Sequence, residues 1–560
     1  MTTNKSLLTV GKKWYFLIFF GMLIAITFSS APTLKTFASK NSDERLETTE
    51  ANYLAARQAL YFRDFKASAN FYLAALNFDR NNASLLQQAF YTQYQLGNID
   101  AAAALARDME MLNITSKSAS EPATAQAILM EDWDAVLVLA DHIAENVNFQ
   151  PVAAIIRAWA LVAKGQGAAG LSHLIEASRS NISGDESVRI ILLMQAARLA
   201  EYLGNYNEML TLANQLFIRN DLSSQLIIQI ASIYARHDES NKIEQLIVRL
   251  PNGFNKSNLQ QKLRAQTPPT KIASNIAAGI IDVSLVNPQS KANGMLNARL
   301  SLALYLDPQL DSAHFLLAQT LHEMGQKKSA VRQLSAIDVT GVWGQPRLLL
   351  QADINKNEDI SIALGFLEGS VDRDKTNAFL QKELGDLYRI SHLFIKARDA
   401  YLKATHLGLK SADLDRNLGI AFEQLGQDQL AENSFKDALI KNPKDPYTLN
   451  YLGYWWANDG RKLDEAIQLI EQAVRLRPRS GYFVDSLGWV HFKLGNLDLA
   501  VSFLEQATIL EPIDPVINGH LGDAYWAIGR YQEARFKWQY ALSIATEDAL
   551  KAEFFDKLSQ

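Results

Sequence analysis

Between residues 384 and 542 the chain repeats one arrangement of small, aromatic and apolar residues five times, at a nearly constant interval. Leu487-Gly488 is followed by Gly495, Leu497, Ala500, Leu504, Ala507 and Pro512. At an offset of 34 residues, Leu521-Gly522 is followed by Tyr525, Gly529, Tyr531, Ala534, Trp538 and Ala541. Going backwards, Leu452-Gly453 leads to Ala466, Ile470, Ala473 and Pro478, with one extra residue in the Asn458–Lys462 turn. Leu418-Gly419 leads to Phe422, Gly426, Ala431, Phe435, Ala438 and Pro443, and Leu384-Gly385 to Tyr388, Ala397, Tyr401 and Ala404. A fixed period constrains the fold more than composition does, because each unit must bury its apolar face on a neighbouring copy of itself.

These residues resemble the tetratricopeptide repeat (TPR), a two-helix unit in which Leu-Gly, an aromatic, Ala, a second aromatic, Ala and Pro recur. Each residue type has a physical task. Small residues such as Gly488 and Ala500 let the two helices of a hairpin approach closely, and Gly495 or Gly529 suits the turn between them. Tyr525 and Leu504 fill the space between neighbouring hairpins. Pro512, Pro478 and Pro443 end the second helix, since proline lacks the amide that a continuing helix needs. The fold class expected is all-α: a TPR helical-hairpin solenoid in two superhelical segments, preceded by an N-terminal signal or anchor helix.

Weaker matches continue the frame upstream. Leu317-Ala318, Leu321, Gly325, Ala330 and Leu334 mark one hairpin; Gly204, Tyr206 and Ala213 mark another, followed by Tyr234, Ile243 and Ile247. Ala56, Phe65, Tyr72 and Ala75 are echoed by Phe90, Gly97, Ile99 and Ala106, and two further hairpins fit around Trp133 and Trp159–Ala177. Pro251–Thr270, with Gly, Asn and a Pro-Pro pair, reads as a joint between two superhelical segments. Thr340–Asn377, with Gly341, Gly344, Gly365 and Gly369, reads as a degenerate hairpin or a second irregularity. The expected order is a signal or anchor over 1–38, a degenerate TPR-like superhelix over 46–250, the joint at 251–270 and degenerate hairpins over 271–377. A well-formed array over 378–545 and a capping helix over 546–560 follow, the last carrying Leu550, Phe554, Phe555 and Leu558 to cover the final apolar face.

At the N-terminus Lys5, Lys12 and Lys13 precede the uncharged run Trp14–Phe28. A basic stretch before an apolar one reads as an export signal or a membrane anchor, and both readings stay open. Basic residues on this side place the rest of the chain outside the cytoplasm. Elsewhere, 60 acidic against 55 basic residues give a net charge of −5, without the basic footprint that phosphate neutralisation requires, so nucleic acid is not an expected partner. The absence of cysteine removes disulfides, thiolate metal sites and cysteine nucleophiles together.

Motifs for chemistry are nearly missing. Gly165, Gly167 and Gly170 have dinucleotide-loop spacing, but Pro151–Lys164 before them has helical apolar spacing where a strand is needed, so Gly165 reads as a hairpin turn. His322-Glu323 lacks the second His of a zinc-protease motif. No cofactor, metal or catalytic residue is expected, and the chain reads as a non-enzyme.

In a TPR superhelix, the family resemblance implies, the first helix of each hairpin lines the concave face. The frame then places Tyr447, Asn450, Tyr454, Tyr482, Asp485, Trp489, Phe492, Asp523 and Trp526 there. Rings supply apolar area while amides and carboxylates pair with a peptide backbone or basic groups, so a partner protein or peptide is the expected ligand. Lys493 is the lone cation among the lining positions, which disfavours a carboxylate clamp. Aromatics at this spacing also serve as packing between hairpins, and the sequence leaves both roles open.

The phrases NYLGYWWANDGRKLDEAIQLIEQAV, GYFVDSLGWVHFKLGNLDLAVSFLEQA and DPVINGHLGDAYWAIGRYQEARFKW are similar to the C-terminal repeats of bacterial envelope TPR proteins. Among these are periplasmic lipoprotein adaptors of carboxyl-terminal processing proteases. The resemblance implies an exported, non-catalytic adaptor in the periplasm, secreted after signal cleavage or held in the inner membrane, that gathers partners for a protease or cell-wall machinery. A lipoprotein needs a cysteine after its signal, and this chain has none. The alternative is a structural or assembly factor that self-associates.

Overall fold

The computed structural model describes residues 48–559, except 63, 117, 181–184, 252, 255, 287–294 and 357–358. The expected signal or anchor over 1–38 lies outside them. Among the described residues no helix is long and apolar enough to cross a membrane.

The secondary structure is helical throughout and divides into two compact units at residue 366/367. The first contains α1 (Thr49–Tyr61), α2 (Phe65–Phe78), α3 (Ala83–Gln95), α4 (Ile99–Met111), α5 (Ser120–Leu129) and α6 (Trp133–Ala144). It continues with α7 (Gln150–Ala163), α8 (Gly167–Arg179), α9 (Glu186–Tyr202), α10 (Tyr206–Phe217), α11 (Ser224–Arg236) and α12 (Ser240–Arg249). Then come α13 (Lys256–Arg264), α14 (Ile272–Val286), α15 (Met295–Leu306), α16 (Asp311–Glu323), α17 (Lys327–Ser335) and α18 (Gly344–Asn355). The division falls within α19 (Ile360–Arg373). The second unit holds α20 (Ala378–Ile390), α21 (Phe394–His406), α22 (Ala412–Gln424), α23 (Asp428–Lys441), α24 (Pro446–Asn458) and α25 (Leu463–Leu476). It closes with α26 (Gly481–Lys493), α27 (Leu497–Leu510), α28 (Pro515–Ala527), α29 (Tyr531–Ile544) and α30 (Asp548–Leu558).

In the second unit the repeat positions act as their chemistry requires. A methyl group on Gly385, Gly419, Gly453 or Gly488 would lie 2.6–2.9 Å from Tyr401, Phe435, Ile470 or Leu504 of the paired helix, and at Gly522 it would meet Trp538. The missing side chain is therefore the space into which the partner helix drives its largest residue. Ala397, Ala431, Ala466, Ala500 and Ala534, each fully buried, bring the second helix close enough to do so. Gly495 and Gly529 adopt φ of +79° and +81° at the hairpin turns, where a β-carbon is penalised. The frame extends upstream, since Gly165 turns at φ +77° between α7 and α8 and opens no phosphate loop. α30 covers the last hairpin with Leu550 and Phe554, as a cap should, but Phe555 is 66% exposed and takes no part.

The expected joint at Pro251–Thr270 is corrected. The segment contains α13, whose Leu259 and Leu263, one turn apart, are buried against the preceding hairpin. One apolar core runs from Ala56 through this segment to Ile354. Its Gly, Asn and Pro residues flank a short helix instead of marking a domain boundary, and the division lies about 100 residues further on.

The first unit fills its own inner face. α14 and α15 lie against α3, α4, α5, α7 and α9, the earlier hairpins of the same solenoid. Three sets of polar contacts pin them. Tyr305 donates to Asp100 (2.5 Å); Arg299 forks onto Glu121 with two 3.1 Å contacts; Gln195 and Gln229 each donate to Asp282 at 2.9 Å. Arg299 and Glu121 are 2% and 4% exposed, and the Tyr94 hydroxyl also donates to Glu121. Gly279 accommodates Ile155, and the seam retains a void of only about 10 Å³, too small for comfortable hydration. Burial pushes the Asp282 carboxyl up to about 7, although Arg198, Gln229 and Gln195 pull the other way.

Candidate partner-binding pocket

A pocket of about 310 Å³ opens on the first helices of the last three hairpins. Each helix contributes a stripe at three- and four-residue spacing, which keeps side chains on one face. α24 supplies Tyr454 and Asn458, α26 supplies Trp489, Phe492 and Lys493, and α28 supplies Val516, Gly519, His520 and Asp523. α30 completes the wall with Leu550, Glu553, Phe554 and Lys557.

Local sequence sets these helices. α24 and α28 start with Pro446 and Pro515 at positions that need no amide donor, capped by Asp445 and Asp514. The Asp514 carboxylate accepts from Val516 and Ile517 at 2.9 Å. Gly519 lets α30 settle on α28, because a β-carbon there would lie 2.6 Å from the Phe554 ring. Lys557 then bridges Asp523 at 2.8 Å and Glu553 at 2.7 Å. Burial opposes its charge, but the two carboxylates prevail and hold its pKa above the ordinary value.

The floor is a ring stack. His520 lies parallel to Trp489 with centroids 4.0 Å apart, Trp489 stacks on Phe492 at 5.0 Å, and Tyr454 is 6.4 Å from His520. Lys493 places its ammonium 4.9 Å above Trp489. Behind the stack Asp485 is completely buried, with both oxygens 3.0 Å from His520 Nδ1. A carboxylate only accepts, so Nδ1 carries the proton and Nε2 is left as the open atom of the ring. Burial raises the Tyr454 phenol, reinforced by Asp485 and Asp514, and burial also raises Asp514.

Of the nine positions read from the sequence, Tyr454, Trp489, Phe492 and Asp523 meet in this pocket. The other five lie outside it. Asp485 supports His520 from beneath, and Asn450 and Tyr482 are buried in the stack of helices. Tyr447 packs edge-on against Phe483 of the next hairpin, with Arg477 at 4.9 Å, and Trp526 packs on Tyr531 and Trp538 of its own hairpin. The Tyr447 and Trp526 rings each face a neighbouring helix. Lys493 lines the pocket as expected, but it is joined there by Lys557. His520 was missed although it is four residues after Val516 and three before Asp523; the α28 stripe is its signal. Among the described residues no cluster of His or carboxylates could hold a metal ion, and His322 contacts Asp353 alone at 3.3 Å.

A family model described as the tetratricopeptide repeat matches residues 457–516 and 486–549, which carry most of this pocket. A TPR repeat-containing protein of Pseudomonas aeruginosa, PA4667, is 30% identical over 222 residues, 38% of this chain and 36% of that protein. A second, MJ1428 of Methanocaldococcus jannaschii, is 30% identical over 113 residues, 20% of this chain and 19% of its own length. The chain thus spans about a third or less of these relatives. Among solved structures, the Cut9–Hcn1 hetero-tetramer of the APC/C covers 92% of this chain and 97% of that chain, at 17% identity and a TM-score of 0.38. YrrB, a TPR protein with an unusual peptide-binding site, covers 38% of this chain and 92% of that one, at 19% identity and a TM-score of 0.25. The chain is an all-α helical-hairpin solenoid that carries tetratricopeptide repeats.

Proposed function

We propose that the chain is a non-catalytic scaffold that holds a partner protein or peptide in the pocket of its last three hairpins. We place it outside the cytoplasm of a bacterium, as an adaptor that presents substrates to a protease or to cell-wall machinery. The pocket itself carries the binding part of this reading: five aromatic rings with Val516 and Leu550, ringed by Asn458, Lys493, Asp523, Glu553 and Lys557. That combination of apolar anchor site and polar rim is what peptide recognition uses. The inner face of the first unit offers no comparable space, being filled by α14 and α15. Export is supported by Lys5, Lys12 and Lys13 before Trp14–Phe28, and the adaptor role by the similarity of residues 450–542 to envelope TPR adaptors.

The test is affinity capture from crosslinked cells with the full chain and with Phe492→Ala. The scaffold reading expects a partner recovered by the wild type and depleted in the variant. Equal recovery by both, or none above background, refutes it. A reporter active only outside the cytoplasm, fused after residue 560, should be active; an inactive fusion of a folded chain contradicts export.

A further inference from the structure

His520 Nε2 is a feature of the pocket that apolar packing leaves unexplained. The residue is 9% exposed and stacked on Trp489, with Nδ1 held by a carboxylate that is itself completely buried. Nε2 has no partner among the described residues. Of the rim charges, Lys557 is shared between Asp523 and Glu553, and Lys493 lies over the Trp489 ring. In its neutral form the imidazole therefore presents a hydrogen-bond acceptor among the rings of Tyr454, Trp489 and Phe492, within the polar rim.

Building on the scaffold reading, we infer that the pocket selects an aromatic anchor bearing a hydrogen-bond donor, a tryptophan or tyrosine of the partner, which donates to His520 Nε2. The volume of about 310 Å³ is at the lower end of ligand cavities, roughly 300–1,000 Å³, and suits one large side chain better than a folded loop. A flat ring continues the stack formed by Trp489, His520 and Phe492. A phenylalanine or leucine anchor would displace water from Nε2 and return nothing, leaving a buried polar atom unpaired. A site built to hydrogen-bond its ligand rejects the analogue lacking the donor for this reason. Lysine and arginine could donate as well, but their charge would have to be desolvated against Val516, Leu550 and Phe554.

The inference is tested by ligand-observed NMR on the full chain with blocked Ala-X-Ala peptides. X is tryptophan, tyrosine, phenylalanine or 1-naphthylalanine, the last matching indole in shape without its N–H. The wild type should bind the tryptophan peptide about tenfold more tightly than the naphthylalanine peptide, and the tyrosine peptide more tightly than the phenylalanine peptide. His520→Phe keeps a ring in the stack and should bring tryptophan and naphthylalanine within about threefold of each other. Because that change orphans Asp485, Asp485→Asn is the second variant. An amide can donate to Nδ1 and move the proton to Nε2, so it should erase the donor preference with the cavity shape retained. Equal binding of tryptophan and naphthylalanine by the wild type overturns the inference, as does a preference that survives both variants. If a partner still depends on Phe492 in that event, the scaffold reading stands alone; if neither peptides nor a partner bind, both fall.

Discussion

Replacing Arg299 by Met tests how the first unit holds its inner hairpin. Arg299 and Glu121 are separated by 178 residues in sequence, and their two 3.1 Å contacts join α15 to α5 inside the core. At 2% and 4% exposure both ions have been taken out of water, so removal of one leaves the other charged and uncompensated. Breaking a buried pair in this way costs about 3–5 kcal/mol. The Tyr94 hydroxyl still donates to Glu121 at 2.8 Å, and Met retains much of the packing of Arg299 over Phe149. Both effects place the loss near the lower limit, about 3 kcal/mol. A chain with two units need not unfold in one step, so the appropriate readout is local hydrogen exchange by mass spectrometry. The slowest amides of Ser120–Leu129 and Met295–Leu306 should exchange about a hundredfold faster, while residues 378–545 serve as an internal control and stay unchanged. Adding Glu121→Gln removes the stranded charge but keeps an acceptor for Tyr94, and should restore about 2 kcal/mol. Unchanged exchange in the single variant, or a double variant no better than the single, refutes the argument.

Asp282 is a proton-linked weak point of the same seam. Its folded pKa of about 7 exceeds its ordinary value of 3.8, so the native state binds the proton more tightly and this group's contribution to stability falls as pH rises from about 4 through 7. Asp282→Asn should therefore stabilise the fold more at pH 8 than at pH 5, by a difference in unfolding free energy on the order of 2 kcal/mol; an equal effect at both pH values contradicts it. Gly488→Leu should cost about 1–3 kcal/mol by forcing Leu504 and the Ala500 carbonyl away, with loss of exchange protection confined first to α26, α27 and their neighbours. Trp489→Ala should weaken partner capture and also destabilise the fold by about 3–5 kcal/mol, read as a lower Tm, because the ring is 8% exposed and stacks on two others. Unchanged melting would show that Trp489 does not pack as described.

Sequence reading reached the hairpins because each one writes its own contacts into one period. Gly488 with Leu504 and Gly522 with Trp538 are within-hairpin pairs at one fixed spacing, although the sequence alone assigns Leu504 to the space between neighbouring hairpins. Contacts between distant hairpins leave no such trace. Nothing in α14 or α15 announces that they pack on α5 and α9; the signal is diffuse, a helix such as α14 with apolar residues on all sides. The Gly, Asn and Pro of Pro251–Thr270 reported local chain breaks correctly but said nothing about whether the core continued past them. For the pocket, helical spacing located the right three helices, yet it could not separate a ring facing the cavity, Phe492, from one turned to its neighbour, Trp526. That distinction depends on where the adjacent helix lies. The closing contribution of α30 was likewise hidden, because a cap is legible only as apolar residues to be buried, and nothing in that pattern marks Glu553 and Lys557 as pocket residues.

Site-specific photocrosslinking in living cells addresses the central claim most directly. A photoreactive residue at Asn458 or Phe492, within the pocket, is compared with one at Ile509, which is 79% exposed on the second helix of a hairpin. The scaffold account predicts a crosslinked partner from the two pocket positions and none from Ile509. A partner crosslinked from Ile509 but from neither pocket position would contradict it.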